Sequence, residues 1–168
     1  MRCVPEFGTN DTMLDRFDLK LLDLVQRDDS RTADSLATDL PLSPSAIARR
    51  LRRLRSEGWI VRTIALLSPR LIQNRLRAIV LVQLAEHADR TGKSALERRL
   101  SAADEVQFCY EIAGPHDFVL LFDCASMAEF NDAAESLLAS SSTVRRYETH
   151  FVKREVKFAP FVQLGGAA

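Results

Sequence analysis

Charge of one sign is the first thing this sequence lacks: 23 Lys and Arg stand against 23 Asp and Glu over 168 residues. A bulk electrostatic attraction to nucleic acid or to an anionic membrane is therefore excluded, and any such partner must be met by a local patch. Long apolar runs are missing too; no stretch of about 18 apolar residues exists, so no transmembrane helix and no membrane partner are expected. The opening MRCVPEFGTNDTM lacks an apolar h-region. It is expected to be a flexible arm over residues 1–13, not a signal peptide. Cysteine is scarce. Cys3, Cys109 and Cys124 are odd in number, far apart and without metal spacing, so they are expected to stay reduced, with no metal or cofactor bound. The histidines, His87, His116 and His150, are equally scattered. No Ser/His/Asp or His/Cys/Glu constellation is apparent, and an enzyme is not expected. With 46% hydrophobic and 27% charged residues, the composition suits an ordinary folded protein of one or two small domains.

Against this neutral background, Ser43 to Glu57 reads SPSAIARRLRRLRSE and ends at Gly58. Arg49, Arg50, Arg52, Arg53 and Arg55 crowd into two turns of one predicted helix. Ser43 suits the N-cap, Pro44 the first helical position and Gly58 the C-terminal stop. At 100° per residue, Ile47, Leu51 and Leu54 form a narrow apolar stripe, with Ser45, Arg49 and Arg52 opposite and Arg50 and Arg53 on one flank. Alone, such a helix reads most simply as a solvated basic face.

Its neighbours argue otherwise. Thr32 caps a predicted short helix, ADSLATDL, and Pro41-Leu42 force a turn before Ser43. Leu42 and Ile47 are spaced to form a hydrophobic staple. An earlier helix begins at the Asp15 cap, with Asp18 at N3 near the positive helix end, and runs through Leu21, Leu22, Leu24 and Val25. Three helices with short connections, the third basic, make a DNA-reading helix-turn-helix. Trp59-Ile60-Val61 and Thr63-Ile64-Ala65-Leu66 read as extended, which makes the head winged. Ser43, Ser45, Arg49 and Arg52 are expected toward double-stranded DNA, Ser45, Arg49 and Arg52 at base edges. Arg50, Arg53 and Arg62 are expected to serve phosphates or support the head.

From residue 77 the period changes. Ala78–Leu84, Val106–Ala113, Asp117–Cys124 and Val144–Val156 read as strands; Ser94–Leu100, after a Thr91-Gly92 break, and Met127–Leu138 read as helices. The fold class is therefore α+β: a winged helix-turn-helix domain followed by a βαββαβ ferredoxin-like domain. The expected divisions are 14–62 for the head, 63–76 for a linker strand and hinge, 77–158 for the second domain and 159–168 for a tail. Ile79–Val82 and Phe118–Phe122 are continuous apolar runs, so both sheet faces are apolar although helices cover one. A homodimer covering the other face is expected, the DNA-reading head folding back onto that face being the alternative.

These residues carry a resemblance to the Lrp/AsnC family of bacterial and archaeal transcription regulators, from Leu14 to about Phe158. It rests on Leu14-Asp15-x-x-Asp18, Leu36-Ala37 and Ser43-x-Ser45-x-Ile47-x-x-Arg50-x-x-x-Leu54-x-x-x-Gly58-x-Ile60. In the second half it rests on Gly114-x-x-Asp117 and Thr149-x-x-Val152-x-x-x-Val156-Lys157. Gln73 and His116 depart from the family pattern, which often has glycine and an aromatic there. The resemblance implies dimers that assemble into tetramers or octamers, a cytoplasmic, nucleoid-associated location, and an amino acid or related metabolite bound between neighbouring effector domains. Carried over, the effector site involves Ala113, Gly114, Asp117, Met127, Thr149, His150 and Phe151. Asp117 would accept the ligand ammonium and turn N–H groups its carboxylate, with Met127 and Phe151 on its side chain. Asp117 as a turn-capping carboxylate stays open as the alternative. Siroheme decarboxylases share the architecture and are the rival enzymatic reading, and a regulator without a small-molecule effector is a third.

Overall fold

Asp15 opens the first helix, α1 (Arg16–Val25), by accepting the Phe17 and Asp18 amides at 2.8 Å, while the Asp18 carboxylate reaches back to the Asp15 amide at 3.1 Å. This reciprocal cap satisfies donors that the first turn leaves without partners. The computed structural model describes residues 13–86 and 90–164; the expected arm, apart from Met13, and His87 lie outside the described residues. Thr32 caps α2 (Ala33–Leu36) and Ser43 caps α3 (Pro44–Ser56), as their side chains predict. The second helix is shorter than its eight-residue sequence pattern, because the chain turns after Ala37 and buries Leu40 from outside the helix. Leu21, Leu22, Val25, Leu36, Leu40, Ile47, Leu51 and Leu54 form one core, with Leu42 and Ile60 at its edge. Gly58, at φ +81°, ends α3 in the left-handed region where a Cβ is strained.

The residues expected to form a wing make no strand ladder among the described residues: Trp59 and Ile60 lie in a bend with Ile60 half-buried, residues 61–66 are exposed, and a short helix, α4 (Pro69–Ile72), follows where a linker strand was expected.

Four antiparallel strands, β1 (Leu76–Leu84), β2 (Val106–Glu111), β3 (Phe118–Cys124) and β4 (Val144–Phe151), build one sheet in the order β2-β3-β1-β4. With α5 (Arg90–Ala102) and α6 (Met127–Ala134), this is the βαββαβ arrangement. The Thr91-Gly92 break does not materialise: α5 starts at Arg90 and runs through both residues. An interior glycine costs about 1 kcal/mol, less than burying Leu96 and Leu100 on one helical face returns. The α6 helix widens into a π-helical turn over Glu135–Ala139, with the Ser140 amide on the Glu135 carbonyl at 3.0 Å. The last strand ends at Phe151, short of the expected Val156.

Ala78, Val80, Val82, Phe118, Leu120 and Phe122 are buried beneath Leu96, Leu100, Phe130, Ala134 and Leu138. Cys124 joins this core and Cys109 packs at its margin, where burial pushes both thiols up. They behave as small hydrophobes. The chain divides into two compact units, 67–156 and the head, to which residues 157–164 also belong. The C-terminal stretch expected as a tail thus packs with the head up to Leu164.

Candidate nucleic-acid interface and effector site

The five arginines of α3 divide into two sets. Arg50 donates to Asp15 at 2.7 Å and to Asp18 at 2.8 Å, and Arg53 donates to Asp18 at 2.5 Å. Asp18 is 1% exposed, so two guanidinium groups on one flank of α3 clamp a buried carboxylate of α1. Burial pulls the Asp15 carboxyl up, but the Asp18 amide and the Arg50 guanidinium outweigh it and hold it below its ordinary range. Hydrogen bonds to Asp15 and Asp18 in turn push Arg50 up. Arg55 pairs with Asp29 at 2.9 Å, and Asp29 also accepts the Thr63 hydroxyl at 2.8 Å. Both Arg50 and Arg53 are thus paired with carboxylates inside the head.

Arg49 and Arg52 form the other set. Both are exposed, and neither has an ion pair or hydrogen bond with any described residue. Ser45 is exposed beside them, its hydroxyl 3.1 Å from that of Ser43, which caps the helix. Arg62 is exposed on the extended segment and likewise carries no ion pair with a described residue. The helix therefore presents two free guanidiniums and a hydroxyl on the side opposite its buried stripe of Ile47, Leu51 and Leu54. An α-helix so armed fits the major groove, where Arg pairs in bidentate fashion with guanine.

The expected effector residues fall into two groups. Gly114, at φ +149°, turns the chain between β2 and β3 in a conformation that disfavours any side chain, and Ala113 is exposed beside it. The Asp117 carboxylate accepts the Leu84 amide at 2.7 Å, and its own amide donates to the Val82 carbonyl at 2.8 Å. Asp117 thus caps the end of β1. At the other end, Phe151 pairs with Ala78 and packs edge-on against Phe130, their ring centroids 5.4 Å apart, while Met127 stands exposed at the start of α6. Thr149, opposite Val80, shares the helix-covered face with Phe151; His150, opposite Ile79, lies on the open face. Ala78 and Val82 are four residues apart on β1, so the two groups are separated by roughly 13 Å along the strand. Within one chain they do not come together.

Sequence reasoning missed a second buried carboxylate. Asp123 is 5% exposed and accepts from Arg75, from Arg77 at 2.8 Å and from Gln107 at 3.1 Å, while Arg77 also reaches Glu155 at 2.6 Å. These hydrogen bonds push Arg75 and Arg77 up. The alternation of Arg75 and Arg77 was the available signal, but their partner lies 48 and 46 residues away. Among the described residues, no group of three or more His, Cys, Asp or Glu side chains is arranged to hold a metal ion, and no helix is long and apolar enough to cross a membrane.

Residues 14–61 match the winged helix-turn-helix DNA-binding model, and residues 77–160 match the Lrp/AsnC ligand binding domain. The chain is 32% identical over 148 residues to an uncharacterized HTH-type transcriptional regulator of Sinorhizobium fredii, covering 86% of this chain and 85% of the relative. It is 31% identical over 155 residues to the leucine-responsive regulatory protein of Haemophilus influenzae, with 90% of each covered. A crystal structure of a transcriptional regulator from Neisseria meningitidis in complex with L-methionine superposes with a TM-score of 0.77 at 27% identity, covering 88% of this chain and 95% of that one. A winged helix-turn-helix unit followed along the chain by a βαββαβ unit that matches the ligand binding domain places the chain in the Lrp/AsnC family of transcriptional regulators.

Proposed function

We propose that the protein is a dimeric, sequence-specific DNA-binding regulator that reads base edges with Ser45, Arg49 and Arg52 and responds to an amino acid in its C-terminal domain. The observation that carries the DNA reading is the division of the arginines, three spent on intramolecular carboxylates and two left exposed on the groove-facing side. A catalytic role has no comparable support: His116 lies 3.5 Å from the Glu148 carboxylate and His150 stands opposite Ile79, and among the described residues neither is recorded against a nucleophile. DNA as the partner makes the cytoplasm, at the nucleoid, the working location.

The assembly follows from the open sheet face. Ile79, Leu81, Val119 and Leu121 share that face with Phe108 and Tyr110, since residues paired across a ladder point the same way. Phe108 and Tyr110 touch at 5.1 Å between ring centroids, and Tyr110 is 61% exposed. Asp123 with Arg75 and Arg77 borders one end, and Arg146 with Glu148 borders another edge. An apolar centre with a charged rim is the anatomy of a protein interface, and a second copy offers the same surface across a two-fold axis. Leu121→Asp is expected to convert the dimer to monomer in light scattering at low micromolar concentration, with the far-ultraviolet dichroism unchanged. A dimer mass retained by this variant overturns the sheet-to-sheet arrangement.

The effector reading places the ligand between neighbouring copies, with the Gly114–Asp117 turn from one and Met127 with Phe151 from another. Asp117→Asn isolates the ammonium contact, because the amide oxygen still accepts the Leu84 N–H while the negative charge is gone. In a thermal-shift screen of the twenty amino acids, a ligand at 100 times its Kd adds about 2.7 kcal/mol to the wild type. The variant is expected to melt like the wild type without ligand and to lose that shift, along with a coupling to DNA affinity of about 1–3 kcal/mol. An intact response moves the site away from Asp117.

A further inference from the structure

The C-terminal residues complete the head in a way that the family's two-domain outline does not describe. Gln26, the C-cap of α1, donates its Nε2 to the Val162 carbonyl at 2.6 Å and accepts the Val162 amide on Oε1 at 3.0 Å. This is the two-bond pairing one strand makes with another, supplied here by a side chain. The same Nε2 is held by Asp23 at 3.0 Å, so the amide is oriented before Val162 arrives. The Arg27 guanidinium lies 4.3 Å from the centroid of the Phe161 ring, and Leu164 packs against the head's core. Phe161 and Val162 nevertheless remain 38% and 63% exposed. A segment held by so little buried surface is a low-stability element, one that opens without unfolding the rest.

We propose that Phe161–Leu164 is a releasable strap on the DNA-reading head and that Gln26 is its latch, a positioning residue for the recognition helix. The inference rests on α3 being that helix. The strap grips the C-terminal end of α1, and the opposite end of α1 carries Asp15 and Asp18, which hold Arg50 and Arg53 of α3. α1 is therefore the lever between strap and recognition helix. The strap is also continuous with β4 through residues 152–160, so the strand that carries Thr149, His150 and Phe151 leads directly to the latch. No atom of Gln26 or of the strap needs to touch DNA for its loss to be felt there.

The test uses the full-length chain with Gln26→Ala and, separately, Leu164→Ser. Hydrogen exchange is expected to rise roughly tenfold in peptides spanning the last turn of α1 and residues 157–164, because Gln26→Ala removes both hydrogen bonds to Val162 and Leu164→Ser removes the apolar contact with the head's core, while β1 and β3 peptides stay unchanged. Binding to a duplex selected by the wild-type chain is expected to weaken several-fold with the salt slope unchanged, since no phosphate contact is removed. Unchanged exchange in α1 in both variants overturns the strap. A reduced salt slope makes Gln26 a DNA contact and overturns its positioning role. If the wild type selects no duplex, the reading of α3 falls and the positioning role with it, while the exchange measurements still decide whether the strap exists.

Discussion

Replacing Arg49 and Arg52 together by alanine is expected to abolish operator selection while leaving the protein folded. Both side chains are exposed and unpaired with any described residue, so their removal breaks nothing inside the head. A base-edge contact of this kind contributes about 1–3 kcal/mol, and two together about 2–6 kcal/mol, at least a thirtyfold loss for the specific site. Non-specific binding is expected to fall less, so discrimination between the selected duplex and a scrambled one collapses toward unity. Fluorescence anisotropy against both duplexes over a salt series reads the two quantities separately. Equal loss on both duplexes reassigns these arginines to phosphates, and no loss on either removes α3 from the interface.

Asp18→Ala is expected to produce the largest loss of stability in the head. The substitution leaves Arg50 and Arg53 without their shared anion and the Asp15 amide without its reciprocal partner. Breaking a buried pair from one side costs about 3–5 kcal/mol; the lower end applies because the Arg50 and Arg53 side chains remain 23% and 37% exposed and regain water. Urea unfolding followed in the head domain measures it, and a loss below about 1 kcal/mol shows the clamp to be a surface pair. Acid acts on the same cluster with a defined sign. The Asp15 carboxyl is held below its ordinary range in the folded state, so its contribution is complete above that range and is lost as the pH falls through the depressed value.

The two substitutions separate what was legible from what was not. The caps at Asp15, Thr32 and Ser43 were readable because donor and acceptor lie within three residues of each other. The opposite faces of α3 were readable because a helix converts sequence spacing into direction. The wheel could not show that Arg50 and Arg53 were already occupied, since their acceptor lies 32 and 35 residues upstream. Asp18 looked like an ordinary first-turn acid. The resemblance names the candidate effector residues as a set, yet the sheet register separates them, because Asp117 sits beside Leu84 and Phe151 beside Ala78. The latch had no local signal, as Gln26 and Val162 are 136 residues apart.

By itself the sequence determined the three helices of the head and the βαββαβ order behind them in the chain, the apolar stripe of α3 and the doubly apolar central strands, but not the segment between the domains, where α4 stands in place of an expected strand. Each of these follows from periodicity or from hydrogen bonds closed within a turn, which depend on neighbours along the chain. Only the tertiary structure decided which arginines remain free, which carboxylates are buried and where the C-terminal residues lie. Charge pairing, burial and docking of a distant segment depend on which elements meet, and that is set by the packing of the two cores. Arg49 and Arg50 are neighbours in sequence and identical in chemistry; the fold alone leaves one exposed and makes the other a clamp on Asp18.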